Sequence, residues 1–205
     1  MGSLVVCLVV AGCAQQAPSP PAVTRAADRS GEVWNYACPA KGVRVDTVGT
    51  KDPSRIGGRE VLGSIPDDPA TCIVRMPNGT TNAATMEVFP AGDVPALAMK
   101  ALLPARVGDC SSTKTDFNQV RSSGIYRFAF TACLDRFDIL TVDGSPRKVA
   151  VVTVSEEGQD GNVYAGKRTY LYDVATNALV GASLAVSRGT PSNSVDWKAR
   201  RVSGP

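Results

Sequence analysis

The chain holds 22 basic and 19 acidic residues and no histidine. Its chemistry must therefore come from carboxylates, cysteines and cationic side chains. Without histidine there is no Ser-His-Asp or Cys-His constellation and no H-E-x-x-H zinc site. Phosphate-binding and dinucleotide glycine motifs are absent as well. Paired carboxylates can still perform acid–base work. The densest group is Glu156, Glu157 and Asp160, with Asn162 beside them. It lacks the D-x-[DN]-x-[DN]-G spacing of a calcium loop and falls in a Gly-containing stretch, which predicts a solvated loop, with no catalytic role and no metal. Lys198, Arg200 and Arg201 form the densest basic group. Alternation puts Lys198 and Arg200 on one face and Arg201 on the other, the pattern of an exposed strand. A net charge of +3 is too mild to argue for nucleic acid.

The cysteines are more informative. Leu4 to Cys13 is an apolar run closed by small residues. It is too short for a permanent span, which needs about 20 residues, but has the length of a signal-peptide core. Met1-Gly2 does not read as a myristoylation site, because Val6 occupies the sixth position, where Ser or Thr is required. Val10-Ala11-Gly12-Cys13 closely resembles the lipobox of bacterial lipoproteins. The resemblance implies that residues 1–12 are a signal peptide, that cleavage precedes Cys13, and that Cys13 carries the lipid. Its multiple acyl chains would meet the demand for more than one anchoring signal. Ala14 is not the Asp associated with inner-membrane retention, so the expected home is the cell envelope, at the outer membrane facing the periplasm. Residues 13–30 read as a Pro/Ala/Gln-rich tether of about 50 Å if extended.

Cys7 leaves with the signal peptide. Cys38, Cys72, Cys110 and Cys133 remain, an even number in an exported chain, where an oxidising compartment pairs thiols. Three connectivities are possible. The nearest-neighbour pairing, Cys38 with Cys72 and Cys110 with Cys133, is favoured because each pair could join adjacent strands. A metal tetrahedron would need all four thiolates and lacks any C-x-x-C.

The elements that must position these residues are mainly strands. Residues 31–205 suffice for one β-rich domain. Strand-like alternation marks Glu32 to Cys38 (Trp34 and Tyr36 on one face) and Gly42 to Val48. Gly57-Gly58 is expected to break the chain before Arg59 to Ile65 resumes it. Pro66-Asp67-Asp68-Pro69 and Pro77-Asn78-Gly79 read as turns, with strands from Cys72 to Met76 and from Thr80 to Phe89. One helix is predicted after Asp93, with Pro95 in its first turn, apolar Leu97, Met99, Leu102 and Leu103, and Pro104 as its stop. Further strands are expected at Ile125 to Leu134, Arg136 to Val142, Arg147 to Ser155, Val163 to Val174, Leu179 to Ser187 and Val195 to Val202, with a polar loop from Glu156 to Asn162. Long helices are missing between the later strands, which excludes parallel β-α-β units there. The expected fold is therefore mainly β: a curved antiparallel sheet, half-barrel or open barrel, with one short helix packed on it.

Leu103-Pro104-Ala105-Arg106-Val107-Gly108 resembles the "PLxxG" opening of some envelope lipoprotein domains. Thr141-Val142-Asp143-Gly144-Ser145 resembles their "vpaGtf" turn, and Thr169-Tyr170-Leu171-Tyr172-Asp173 their "tyWyd" strand. The resemblance spans about Pro104 to Val186 and implies a sheet similar to the half-barrels of lipoprotein-carrier proteins. It brings no catalytic residue and no cofactor. The stripes Tyr126, Phe128, Phe130 and Tyr164, Tyr170, Tyr172 could line a ligand groove or fill the core. The functional expectation is a non-catalytic, lipid-anchored protein that binds an apolar ligand or an envelope protein partner. A purely structural role and a carboxylate-based hydrolase are the alternatives.

Overall fold

The structure, a computed structural model, describes residues 22–24, 31–88, 93–118, 125–189 and 196–205; at 22–24, 115–118 and 125–126 only the backbone is described. The lipobox-like segment Val10 to Cys13 lies outside the described residues. In chain order the elements are β1 (Ala22–Thr24), β2 (Val33–Trp34), β3 (Arg44–Gly49), β4 (Ile56–Ile65), β5 (Asp68–Arg75), β6 (Thr81–Thr85) and α1 (Val94–Leu102). They continue with β7 (Ala105–Arg106), β8 (Cys110–Asn118), β9 (Ile125–Val142), β10 (Ser145–Gly158), β11 (Ala165–Asp173), β12 (Leu179–Arg188) and β13 (Trp197–Ser203).

Among the described residues, eleven strands form one antiparallel sheet in the order β1-β8-β9-β10-β11-β12-β13-β3-β4-β5-β6. β2 and β7 pair separately. The sheet is curved and open, with β1 and β6 at its ends. Its curl is visible in the core. Ala150, Val152 and Val154 of β10 pack in one apolar cluster with the α1 residues Ala96, Ala98, Met99 and Leu102 and with Val61 and Val74 of the β4–β5 arm. The alternate residues Val149 and Val151 pack in a second cluster with Val43, Val45, Val180 and Ala199. Successive strand residues point to opposite faces, so β10 is buried on both. Only a sheet that rolls back on itself can bring β3 and β13 behind β10.

Several expectations are corrected. Gly57-Gly58 does not break the chain; β4 runs straight through it. The glycines are needed for close approach, since a Cβ on Gly58 would lie 2.9 Å from the Val45 carbonyl oxygen. β9 is a single 18-residue strand rather than two. Its register against β10 shifts between Val151 and Val152, which leaves Asp135 unpaired and lets the strand bend without ending. Glu156 and Glu157 belong to β10, not to a loop. The Glu32 to Cys38 strand shrinks to two residues, although Trp34 and Tyr36 are buried as the alternation required. Residues 22–24, inside the expected tether, form a short edge strand on β8.

Helix α1 has Pro95 in its first turn, and its buried face is Pro95, Ala96, Ala98, Met99 and Leu102. Leu97, expected inside, is 41% exposed. At 100° per residue Leu97 cannot share the stripe that carries Ala96, Met99 and Leu102. Two disulfides join Cys38 to Cys72 and Cys110 to Cys133. The second links directly opposed residues of β8 and β9. The first ties the segment before β3 to the β4–β6 arm.

Candidate functional site

The site begins with a turn that the sequence does not advertise. After β6 the chain reverses at Met86-Glu87, with φ of 51° and 59°, and the Val88 N–H donates to the Thr85 carbonyl. Two consecutive positive φ values make this a type I′ turn, which normally requires Asn-Gly or Asp-Gly. Each non-glycine residue held there costs roughly 1–2 kcal/mol. The surroundings over-determine the conformation. The Met86 N–H donates to the Ala70 carbonyl at 2.7 Å, and the Tyr172 hydroxyl donates to the Met86 carbonyl at 2.8 Å. The Met86 side chain is fully buried.

The strain delivers one carboxylate. Glu87 accepts from Arg59 Nε at 2.6 Å and from the Leu179 backbone N–H at 2.6 Å. Arg59 in turn donates from Nη2 to the Leu179 carbonyl. The pair thus holds both backbone groups of one β12 residue and clasps the β4–β6 arm to the body of the sheet. The side chains of Arg59 and Glu87 are 5% and 0% exposed. In such an environment removing either partner strands a charge. The Arg59 guanidinium also lies 5.5 Å from the Trp197 ring centroid.

Beside the clasp opens a cleft of about 320 Å³. Its floor includes one rung across the sheet, in which Ala182 of β12 pairs with Tyr170 of β11 on one side and Trp197 of β13 on the other. A small residue between two aromatic ones leaves a notch two strand spacings wide, about 9.5 Å. Gly57, Val88 and Leu179 continue the wall. The charged groups are Arg59 and Glu87, then Asp93 and Arg168. Arg168 donates from Nε to Glu156, which also accepts from the Tyr164 hydroxyl at 3.1 Å. Burial pushes the Tyr170 hydroxyl up to about 12, against the opposing pull of Arg168. Burial also raises the Asp93 carboxyl above its usual value, and the nearby Arg168 only partly offsets this. Asp93 stands just before α1, where the Val94 N–H also draws its carboxyl down although no regular N-cap bond forms.

Among the described side chains of the aromatic residues singled out in the sequence, only Tyr170 lines the cleft. Tyr172 and Phe130 are buried in the core. Tyr172 stacks with Trp34 and Tyr36, both at 5.3 Å between ring centroids. Phe128 and Tyr164 pack on each other at 5.9 Å, beyond the cleft. The Tyr126 side chain lies outside the described residues. The acidic group does not act together. Glu156 is buried on Arg168, whereas Asp160 is exposed and pairs with Arg127 at 2.9 Å. Lys198, Arg200 and Arg201 are all exposed, and the register shift between Ala199 and Arg201 overrides their simple alternation.

Arg59, Glu87, Asp93, Arg168 and Trp197 were not foreseen as a group. One signal was present: Arg59 shares a strand face with Gly57 and Val61, so alternation alone turns it inward. Nothing local marks Glu87, whose role depends on contacts 28 and 92 residues away. In comparisons with known proteins, no family model, curated protein or solved structure matches the chain.

Proposed function

We propose that this is a non-catalytic, lipid-anchored protein of the bacterial cell envelope that binds a small amphipathic ligand in the cleft between Tyr170 and Trp197. The cleft carries the reading. At about 320 Å³ it lies at the small end of ligand pockets, and it has the usual make-up of apolar walls with a few placed polar groups. Its size suits one ring-sized group or one short chain rather than several acyl chains. The hydrolase alternative needs two carboxylates free to exchange protons. Both oxygens of Glu87 are engaged, and Glu156 is committed to Arg168 and Tyr164, which leaves Asp93 alone. That supports binding over catalysis.

The anchor in this reading is the acylated Cys13, at the outer membrane facing the periplasm. Residues 14–21 between it and β1 would reach about 25 Å at most, at ~3.1 Å each, so the β1 edge would stand within that distance of the bilayer. Labelling cells with a radioactive fatty acid should mark the wild-type protein and not Cys13→Ala; an unlabelled wild type ends the anchor reading. For the cleft, titration with the neutral dye N-phenyl-1-naphthylamine should show one saturable site, lost in Ala182→Phe. Unchanged binding in that variant, with its fold verified by circular dichroism, would remove the cleft from the proposal.

A further inference from the structure

We infer that the cleft recognises a neutral, hydroxyl-rich head group of the saccharide class attached to a short apolar portion. The inference rests on the ligand-binding reading above and narrows its chemistry. Charge decides first. Arg59 is committed to Glu87 and to the Leu179 carbonyl, and Arg168 to Glu156. Among the described residues Asp93 is the remaining acid of the cleft, and the nearby Arg168 is already held by Glu156. A phosphate or carboxylate head would find both guanidinium groups neutralised and a third carboxylate facing it. An ammonium head would meet Asp93 but, having donors only, would leave the remaining Arg168 N–H groups without an acceptor. In a partly desolvated cleft the like-charge contact with Asp93 works against an anion.

A neutral polyol meets no such conflict. Each hydroxyl both donates and accepts. Ionised Asp93 is acceptor-only, whereas Arg168 retains N–H donors beyond the Nε given to Glu156. An acceptor and a donor side by side match two neighbouring hydroxyls on one ring. The shape agrees. The Tyr170-Ala182-Trp197 rung leaves a slot between two aromatic side chains, and Gly57 puts no side chain into it. Val88 and Leu179 offer apolar wall to whatever the head carries.

The test compares four eight-carbon amphiphiles below their micellar concentrations, by calorimetry and by the Trp emission of the purified protein. They are octyl glucoside, octyl tetraoxyethylene ether, octanoate and octyltrimethylammonium. Octyl glucoside should bind at least ten-fold tighter than each of the others. Asp93→Asn, which keeps size and shape, should weaken the glucoside about ten-fold and leave the tetraoxyethylene ether unchanged. Ala182→Phe should weaken both neutral amphiphiles; a Trp197→Phe protein identifies the emission change as coming from the cleft. Equal binding of glucoside and tetraoxyethylene ether, or tighter binding of either ion, would overturn the head-group inference while the cleft remains a ligand site. Failure of all four to bind would overturn both.

Discussion

Two turns in this molecule share a backbone hand and little else. Asp143-Gly144 joins β9 to β10 with φ of 50° and 73°; Met86-Glu87 follows β6 with φ of 51° and 59°. The first uses residues that favour the conformation themselves, at an exposed tip where a Cβ on Gly144 would meet nothing within 4 Å. The second uses residues that disfavour it, and is held by Ala70, Tyr172, Arg59 and Leu179 from four other parts of the chain. A self-sufficient turn builds a hairpin. A turn imposed from outside places a charged group where local preference would not, and here that group borders the cleft. The same contrast runs through the neighbouring elements. β8 to β10 form a meander of sequence-adjacent strands, whereas the β4–β6 arm is clasped to β12 across a long sequence separation.

The sharpest way to break the comparison is to remove the outside hold. Glu87→Ala leaves Arg59 buried without its counter-charge, and we expect a loss of about 3–5 kcal/mol in unfolding free energy. Gly144→Ala, which places a Cβ on a positive-φ residue in open space, should cost only about 1–2 kcal/mol. Urea denaturation of both variants checks the order. Equal costs would mean that the Met86-Glu87 turn is not held by the contacts described.

The disulfides sharpen it at the next level. They close loops of 34 and 23 residues, for which the chain-entropy estimate is about 3–4 kcal/mol each. Their settings differ. In the first bridge Cys38 is partly open but Cys72 is fully buried and contacts the Tyr36 hydroxyl at 3.3 Å, while in the second Cys110 and Cys133 are both partly open to solvent. Under limiting dithiothreitol, alkylation followed by mass spectrometry should find Cys110 and Cys133 modified first. The reverse order would mean that the arm opens more readily than the meander, contrary to the picture of a clasped arm.

The same division explains what could be read from the sequence. The Asp143-Gly144 and Asn78-Gly79 turns, the helix between Asp93 and Pro104, and the alternation of β11 and β12 all depend on residues within a few positions of one another. They were legible, as was the antiparallel class that follows from them. The cleft was not. Its polar groups come from β4, the turn after β6, the start of α1 and β11, and neither their spacing nor their residue types set them apart from surface charges. The aromatic stripes left two uses open for a related reason. Period-two alternation says that Phe130, Tyr170 and Tyr172 share faces, but both faces of β10 are covered, so facing inward did not distinguish core from groove. Glu156 was misplaced because a polar run reads as a loop unless its partners, Arg168 and Tyr164, are already known to lie opposite.

The smallest expected effect concerns Asp93, and its sign is informative. Burial raises this carboxyl's pKa in the folded protein above the unfolded reference of 3.8, with Arg168 opposing. The folded state therefore binds the proton more tightly than the unfolded state, and stability must fall as pH rises through the folded pKa. Below 3.8 both states are protonated, and the carboxyl adds no pH-dependent penalty. At neutral pH it is ionised and partly desolvated, so Asp93→Asn should stabilise the protein, by less than any of the changes above. That gain should shrink towards zero as the pH is lowered to about 3.5, below the reference value. Thermal unfolding of both proteins from pH 3.5 to 8 measures it directly. A variant less stable than wild type at neutral pH would show that Arg168 outweighs burial and that the carboxylate is there for the fold. A gain in stability, coupled to weaker binding of octyl glucoside, is the pattern of a group kept at a structural cost for the sake of a ligand. It would set Asp93 beside Met86-Glu87 as a second place where local preference gives way to the cleft.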